Sequence, residues 1–111
     1  MRTTSFVWNF PASDASSNST ATFYDDRGLS ESLTFYIETN KDSTGTVIFQ
    51  TAESTGSTVH TGTLGSTAGY TLSTGLTRTV TFTQPVRAVR PRIVALSSGG
   101  IRISLQGQGS W

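Results

Sequence analysis

Leu33-Thr34-Phe35-Tyr36-Ile37-Glu38 is the stretch that decides the fold. Apolar Leu33, Phe35 and Ile37 alternate with polar Thr34, Tyr36 and Glu38, the period-two pattern of a strand with one face buried. Nowhere does the chain show a convincing helical period. Working outward, Phe6, Trp8 and Phe10 share one face of a first strand, which Pro11 ends. Residues 14–18 read as a polar loop, Ala21 and Phe23 mark a second strand, and Asp25-Asp26-Arg27-Gly28 is a turn. After a turn at 40–45, Val47 and Phe49 point one way and Ile48 the other, so this strand is expected to be covered on both faces. Val80 and Phe82 alternate with threonines over 79–83. A further strand over 86–96 contains Pro91, which argues for an edge position or a bulge. Ser98-Gly99-Gly100 reads as a hairpin turn, and Ile101, Ile103 and Leu105 alternate with Arg102, Ser104 and Gln106 in the last strand.

These signals predict an all-β, antiparallel β-sandwich of seven to eight short strands, as a single domain over residues 1–111. The pattern weakens over about 53–77, a Gly/Ser/Thr-rich excursion with isolated Val59, Leu64, Tyr70, Leu72 and Leu76. Two thin strands, near 58–63 and 70–73, fit there, and a projecting hairpin or long excursion is expected because a structureless loop that long is unusual.

Composition narrows the function classes. The chain has no cysteine, so disulfides and thiolate metal sites are excluded. Only 14% of residues are charged, against about 25% in an average globular protein. Ser and Thr fill the gap at roughly a third of the chain. Thr favours strands through its branched Cβ and supplies hydroxyls without charge. A surface of hydroxyls with few charges suits a protein that packs against neighbours. No apolar run long enough for a signal peptide follows Met1, and nothing approaches a membrane span, so synthesis in a cytoplasm is expected.

Each catalytic template lacks a partner. Nucleophilic catalysis needs a base near the nucleophile, and the lone His60 lies in the excursion, where an exposed loop histidine is the simpler reading. Of seven acids, Glu38 and Glu53 flank one predicted hairpin and could face each other as a glycosidase pair, but a solvated sheet face explains them equally well. Asp25-Asp26-Arg27-Gly28 lacks the alternating acids and terminal Glu of a calcium loop and reads as a plain turn. Gly99-Gly100 leads into a strand and not a helix, so it is no phosphate loop. No enzyme activity, cofactor or metal is expected.

Arginines carry more weight. Arg87, Arg90, Arg92 and Arg102 crowd the last two predicted strands, and Arg is preferred where a guanidinium stacks or binds bidentately at an interface. Nucleic acid is disfavoured because the net charge is only +1 and no aromatics interleave with these arginines. Salt bridges or subunit contacts are the expectation. Among the aromatics, Trp8 shares a face with Phe6 and Phe10, which points to core or inter-subunit packing, whereas Tyr36 lies on the polar face and Trp111 at the chain end, where it serves mainly by docking. The interface candidates are therefore Trp8, Tyr36, Arg87, Arg90, Arg92, Arg102 and Trp111.

The last segment carries a resemblance. Val86-Arg87-Ala88-Val89-Arg90-Pro91-Arg92-Ile93, then Ser98-Gly99-Gly100-Ile101-Arg102-Ile103-Ser104-Leu105, resembles the closing strand pair of small jelly-roll-like sandwiches in tailed-bacteriophage structural proteins. Ser32-Leu33-Thr34-Phe35-Tyr36-Ile37 and Gly45-Thr46-Val47-Ile48-Phe49-Gln50-Thr51 resemble the central hairpin of the same class, an outline shared with discoidin-like and carbohydrate-binding sandwiches. Relatives often carry a Gly-x-x-Trp turn after that hairpin, and Ser54-Thr55-Gly56-Ser57 stands here instead, which weakens a sugar site. The resemblance implies a virion protein, foremost a head decoration or cement protein that binds the major capsid protein or another virion component. It also implies a homo-oligomer, with a trimer favoured, and no membrane partner. The alternative is a carbohydrate-binding module or a tail- or fibre-associated adhesion domain.

Overall fold

The computed structural model describes residues 2–10, 22–39, 44–53, 62–72, 77–96 and 100–109, with Arg2 and Leu96 described by backbone alone. Among the described residues there are nine strands: β1 (Arg2–Phe10), β2 (Tyr24–Asp25), β3 (Ser32–Thr39), β4 (Gly45–Ala52), β5 (Gly62–Leu64), β6 (Tyr70–Leu72), β7 (Thr77–Phe82), β8 (Ala88–Leu96) and β9 (Ile101–Gly109). They form two antiparallel sheets. The first has four strands in the order β1-β9-β3-β7; the second runs β2-β8-β4-β5, with β6 also paired to β4. The chain is an all-β sandwich, and the strand order is that of a jelly roll once β5 and β6 count as one interrupted strand. Every connection but the one from β4 to β5 or from β5 to β6 then passes from one sheet to the other.

That topology corrects both expected hairpins. β8 lies between β2 and β4, while β9 lies between β1 and β3 in the other sheet, so the closing strands are not a pair. β3 and β4 are likewise in different sheets, so Glu38 and Glu53 do not face each other across a hairpin. Of the excursion, the described residues 62–72 do not project; residues 54–61 and 73–76 lie outside the described residues. β5 pairs with Phe49–Thr51 of β4 and β6 with Gly45–Val47, the two running in the same direction along one side of β4. Residues 65–69 bulge out opposite Ile48 alone. Gly65 and Gly69 have φ of 79° and 98°, in the left-handed region that disfavours residues with a Cβ. A Cβ on Gly65 would also run into the Tyr70 hydroxyl and the Phe82 ring. The bulge closes on itself: the Ser66 amide donates to Tyr70 Oη at 3.0 Å and the Gly69 amide to Ser66 Oγ at 3.2 Å.

The core follows the alternation. Leu33, Phe35, Ile37, Ile103 and Leu105 of the first sheet meet Val47, Phe49, Val89 and Ile93 of the second, all at 1% exposure or less. Each such side chain contributes about 1.5–3 kcal/mol of burial. Rings cross the whole layer: Tyr24 contacts Phe6, Phe6 contacts Trp8, Trp8 contacts Phe35, and Phe35 lies 4.2 Å from Phe49 and 5.8 Å from Phe82 by centroid. Phe49 and Phe82 both reach Tyr70. β4 is covered on both faces, as its pattern predicts, with Ile48 and Gln50 buried on the side away from this core. A register shift between Thr46 and Val47 places the extra residue Val94 in β8, so β8 carries both the proline and a bulge.

Candidate functional site

Strand parity decides which side chains leave the sandwich. On the outer face of the first sheet, register sets side chains in cross-strand rows. Thr3, Gln108 and Ser32 form one row; Ser5, Gln106, Thr34 and Thr81 the next; Val7, Ser104, Tyr36 and Thr79 a third; Asn9, Arg102, Glu38 and Thr77 the last. Charges appear only in the last row, where Arg102 stands opposite Glu38. The rest is hydroxyl and amide around Tyr36, apart from Val7 at the β1 side, with Thr34 Oγ1 and Thr81 Oγ1 3.2 Å apart and the Tyr36 hydroxyl 3.5 Å from Gln106 Oε1. Hydroxyls and amides lose less than charges when covered by a partner.

The candidate arginines do not gather. Because β8 and β9 join different sheets, Arg102 lies on the outer face just described, and Arg90 and Arg92 lie on the opposite outside of the sandwich. Arg90 Nε donates to Gln50 Oε1 at 2.9 Å, and its guanidinium lies over the Phe23 ring at 4.4 Å. Burial, and then the neighbouring Arg92 charge, hold the Arg90 guanidinium below its ordinary value. Phe23, Ala52 and Ala88 form a small second cluster beside it. Arg87 is at the β8 entry, with Nε 3.6 Å from Asp25 Oδ1, and Arg27 reaches Asp25 Oδ2 at the same distance. Pairs this exposed contribute little.

The aspartate turn is structural. Asp26 is 3% exposed and accepts from the Ser30 amide at 3.0 Å and the Ser30 hydroxyl at 2.5 Å. The Leu29 amide closes the turn on the Asp26 carbonyl. Among the described residues there is no group of three or more His, Asp or Glu placed to hold a metal ion. His60 and Trp111 lie outside the described residues. Trp8 is 4% exposed and belongs to the core, its indole donating to the Thr22 carbonyl at 2.8 Å. Tyr36, at 36% exposure, is the one candidate aromatic that faces solvent among the described residues.

Sequence reasoning passed over two features. Phe6 and Val7 of β1 are 37% and 45% exposed, at the side of the first sheet. Their signal was present in the chain: no charge and no proline falls between Thr3 and Phe10. The second is Arg78, which sits opposite Ile37 on the core side of β7 and donates to the Thr71 carbonyl of β6 at 2.6 Å. An arginine in a threonine strand gives no hint of this, because its partner belongs to the other sheet.

No family model matches the chain, and no curated protein matches it in sequence. Solved structures share its fold. A protein derived from the SPBc2 prophage, YomS, superposes with a TM-score of 0.58 at 16% identity, over 96% of this chain and 95% of its own. The K1 cleaved adhesin domain of Lys-gingipain from Porphyromonas gingivalis W83 gives 0.59 at 12% identity, over the whole of both chains at 100% each. At these identities the likeness establishes a common β-sandwich fold, and function must be argued from the surface.

Proposed function

We propose that the chain is a non-enzymatic virion structural protein, a decoration or cement protein that binds the outer lattice of a phage head and self-associates. The observation that carries this reading is the outer face of the first sheet, whose rows are free of charge except at one end. Such a face is covered by a protein neighbour at small desolvation cost. The fold shared with a prophage-derived protein is in keeping with this role. The mechanism is mass action: a protein that binds only the assembled lattice stabilises it in proportion to its occupancy. Co-sedimentation with purified capsid shells tests the proposal. Binding, with a rise in shell melting temperature, is expected; a protein left in the supernatant and shells of unchanged stability would overturn it.

A second reading is favoured by Tyr36, an exposed ring amid hydroxyls and amides, a setting suited to stacking a sugar. The adhesin domain of the same fold is in keeping with it. A glycan array decides: binding that Tyr36→Ala abolishes supports a carbohydrate module, and a blank array removes it.

A further inference from the structure

Natural sheets defend their edges with charges, prolines, bulges or very short strands, because an open edge is a template for another strand. Three sides of this sandwich carry such devices. β7 turns Arg78 inward. The β5–β6 side is broken by the bulge at 65–69. On the remaining side of the second sheet, β2 is two residues long, and β8 beside it carries Pro91, a bulge and two arginines. β1 has its one charge, Arg2, at its first residue, and none of these devices in its interior. Its nine residues pair with β9 without a register break, no charge or proline lies between Thr3 and Phe10, and among the described residues no strand pairs its other side.

We propose that β1 pairs with β1 of a second copy of this chain, antiparallel about a two-fold axis, so that the two four-stranded sheets become one of eight. The pairing deepens the self-association named in the reading above, and it does not depend on the capsid partner. Residues directly opposite each other across a pair point to the same face, so a two-fold axis normal to the sheet must pass through a residue and not between two. The middle of Thr3–Phe10 falls at Phe6 and Val7, and one of these therefore meets its own copy. They are the exposed apolar residues of the strand and point to opposite faces, so a second β1 covers both at once. A symmetric pair sets the residue on the axis against its own copy and its neighbours against residues equally far along the strand, and with no charge between Thr3 and Phe10 there is nothing there to repel. The same lack of charge gives a foreign strand no complementary group to read, which favours a copy over another protein.

Sedimentation velocity across a concentration series reads the pairing. The unaltered chain is expected to dimerise at high micromolar concentration. Val7→Lys and Val7→Glu should each weaken dimerisation by about tenfold or more while keeping the native circular dichroism spectrum. Mixed one to one, the two variants should regain a dimer, because the axis brings opposite charges together. Val94→Lys, a change at a residue of similar exposure on β8, should leave assembly unaltered. The chain has no cysteine of its own, so Phe6→Cys or Val7→Cys forms an intermolecular disulfide only where that residue meets its copy, which reports the register. A chain that stays monomeric at every concentration overturns the pairing, as does a Val7→Lys variant that assembles as before. The shell assay separates the two proposals: a monomer that still co-sediments sinks the pairing alone, and a dimer that ignores the shells sinks the virion reading alone.

Discussion

β1 and β7 close the two sides of the same sheet, and they solve the same problem in opposite ways. β7 is rich in exposed threonines, yet the residue opposite Ile37 on its core side is Arg78. That guanidinium cannot stay in the core. It leaves through the gap between the sheets, lies 5.3 Å from the Tyr70 ring centre and caps the Thr71 carbonyl. It thus ties the side of one sheet to the side of the other and holds a charge where an added strand would sit. β1 has aromatic residues at the equivalent core-facing positions, Phe6, Trp8 and Phe10, and its exposed apolar residues, Phe6 and Val7, lie at the middle of the strand. One edge is sealed by a charge that must reach solvent, and the other is left apolar and able to accept a partner.

Three substitutions break or sharpen that contrast. The largest effect is expected at Phe35, which is fully buried and joins the rings behind β1 to those behind β7. Phe35→Ala should cost about 3–5 kcal/mol in urea unfolding, the range for a buried aromatic truncated to a cavity. A cost below about 1 kcal/mol would mean that the two edges do not share one core. Next comes Arg78→Val, which removes the bond to Thr71 and should cost about 1 kcal/mol. Its sharper readout is assembly. Placed on the Val7→Lys background, where β1 cannot pair, it should create a new light-scattering dimer through β7; a double variant that stays monomeric would show that Arg78 is not what guards this side. The smallest effect is expected for Tyr36→Ala, on the outer face between the two edges, which should change stability by less than about 0.5 kcal/mol. A larger loss would show that the ring is part of the sheet's packing and not a surface held for a partner.

Much of the layering was legible. The alternation at Leu33–Ile37 and Ile101–Leu105 marks the buried face, and the reversal at Ile48 announces that β4 is covered on both sides. Pro91 signals an interruption, and the structure adds a bulge at Val94 beside it. The partners of each strand were not legible. Gly99-Gly100 invites a hairpin, but the strands on either side of it enter different sheets, and the apparent arginine cluster divides with them. The three-residue strands β5 and β6 were thin in the sequence because their order comes from β4, which supplies their pairing, and not from a pattern of their own.

The chain's sequence by itself determined that this protein is built of strands and which residues of each strand face inward. Side-chain alternation is a property of local extended backbone, repeated every two residues whatever lies alongside. Only the tertiary structure decided which sheet each strand joins, that Arg102 and Arg90 lie on opposite surfaces, and that β1, uncharged from Thr3 to Phe10, is an edge with no strand on its other side among the described residues. Those are choices among distant partners, made by the packing of two layers, and no local pattern in the chain encodes them.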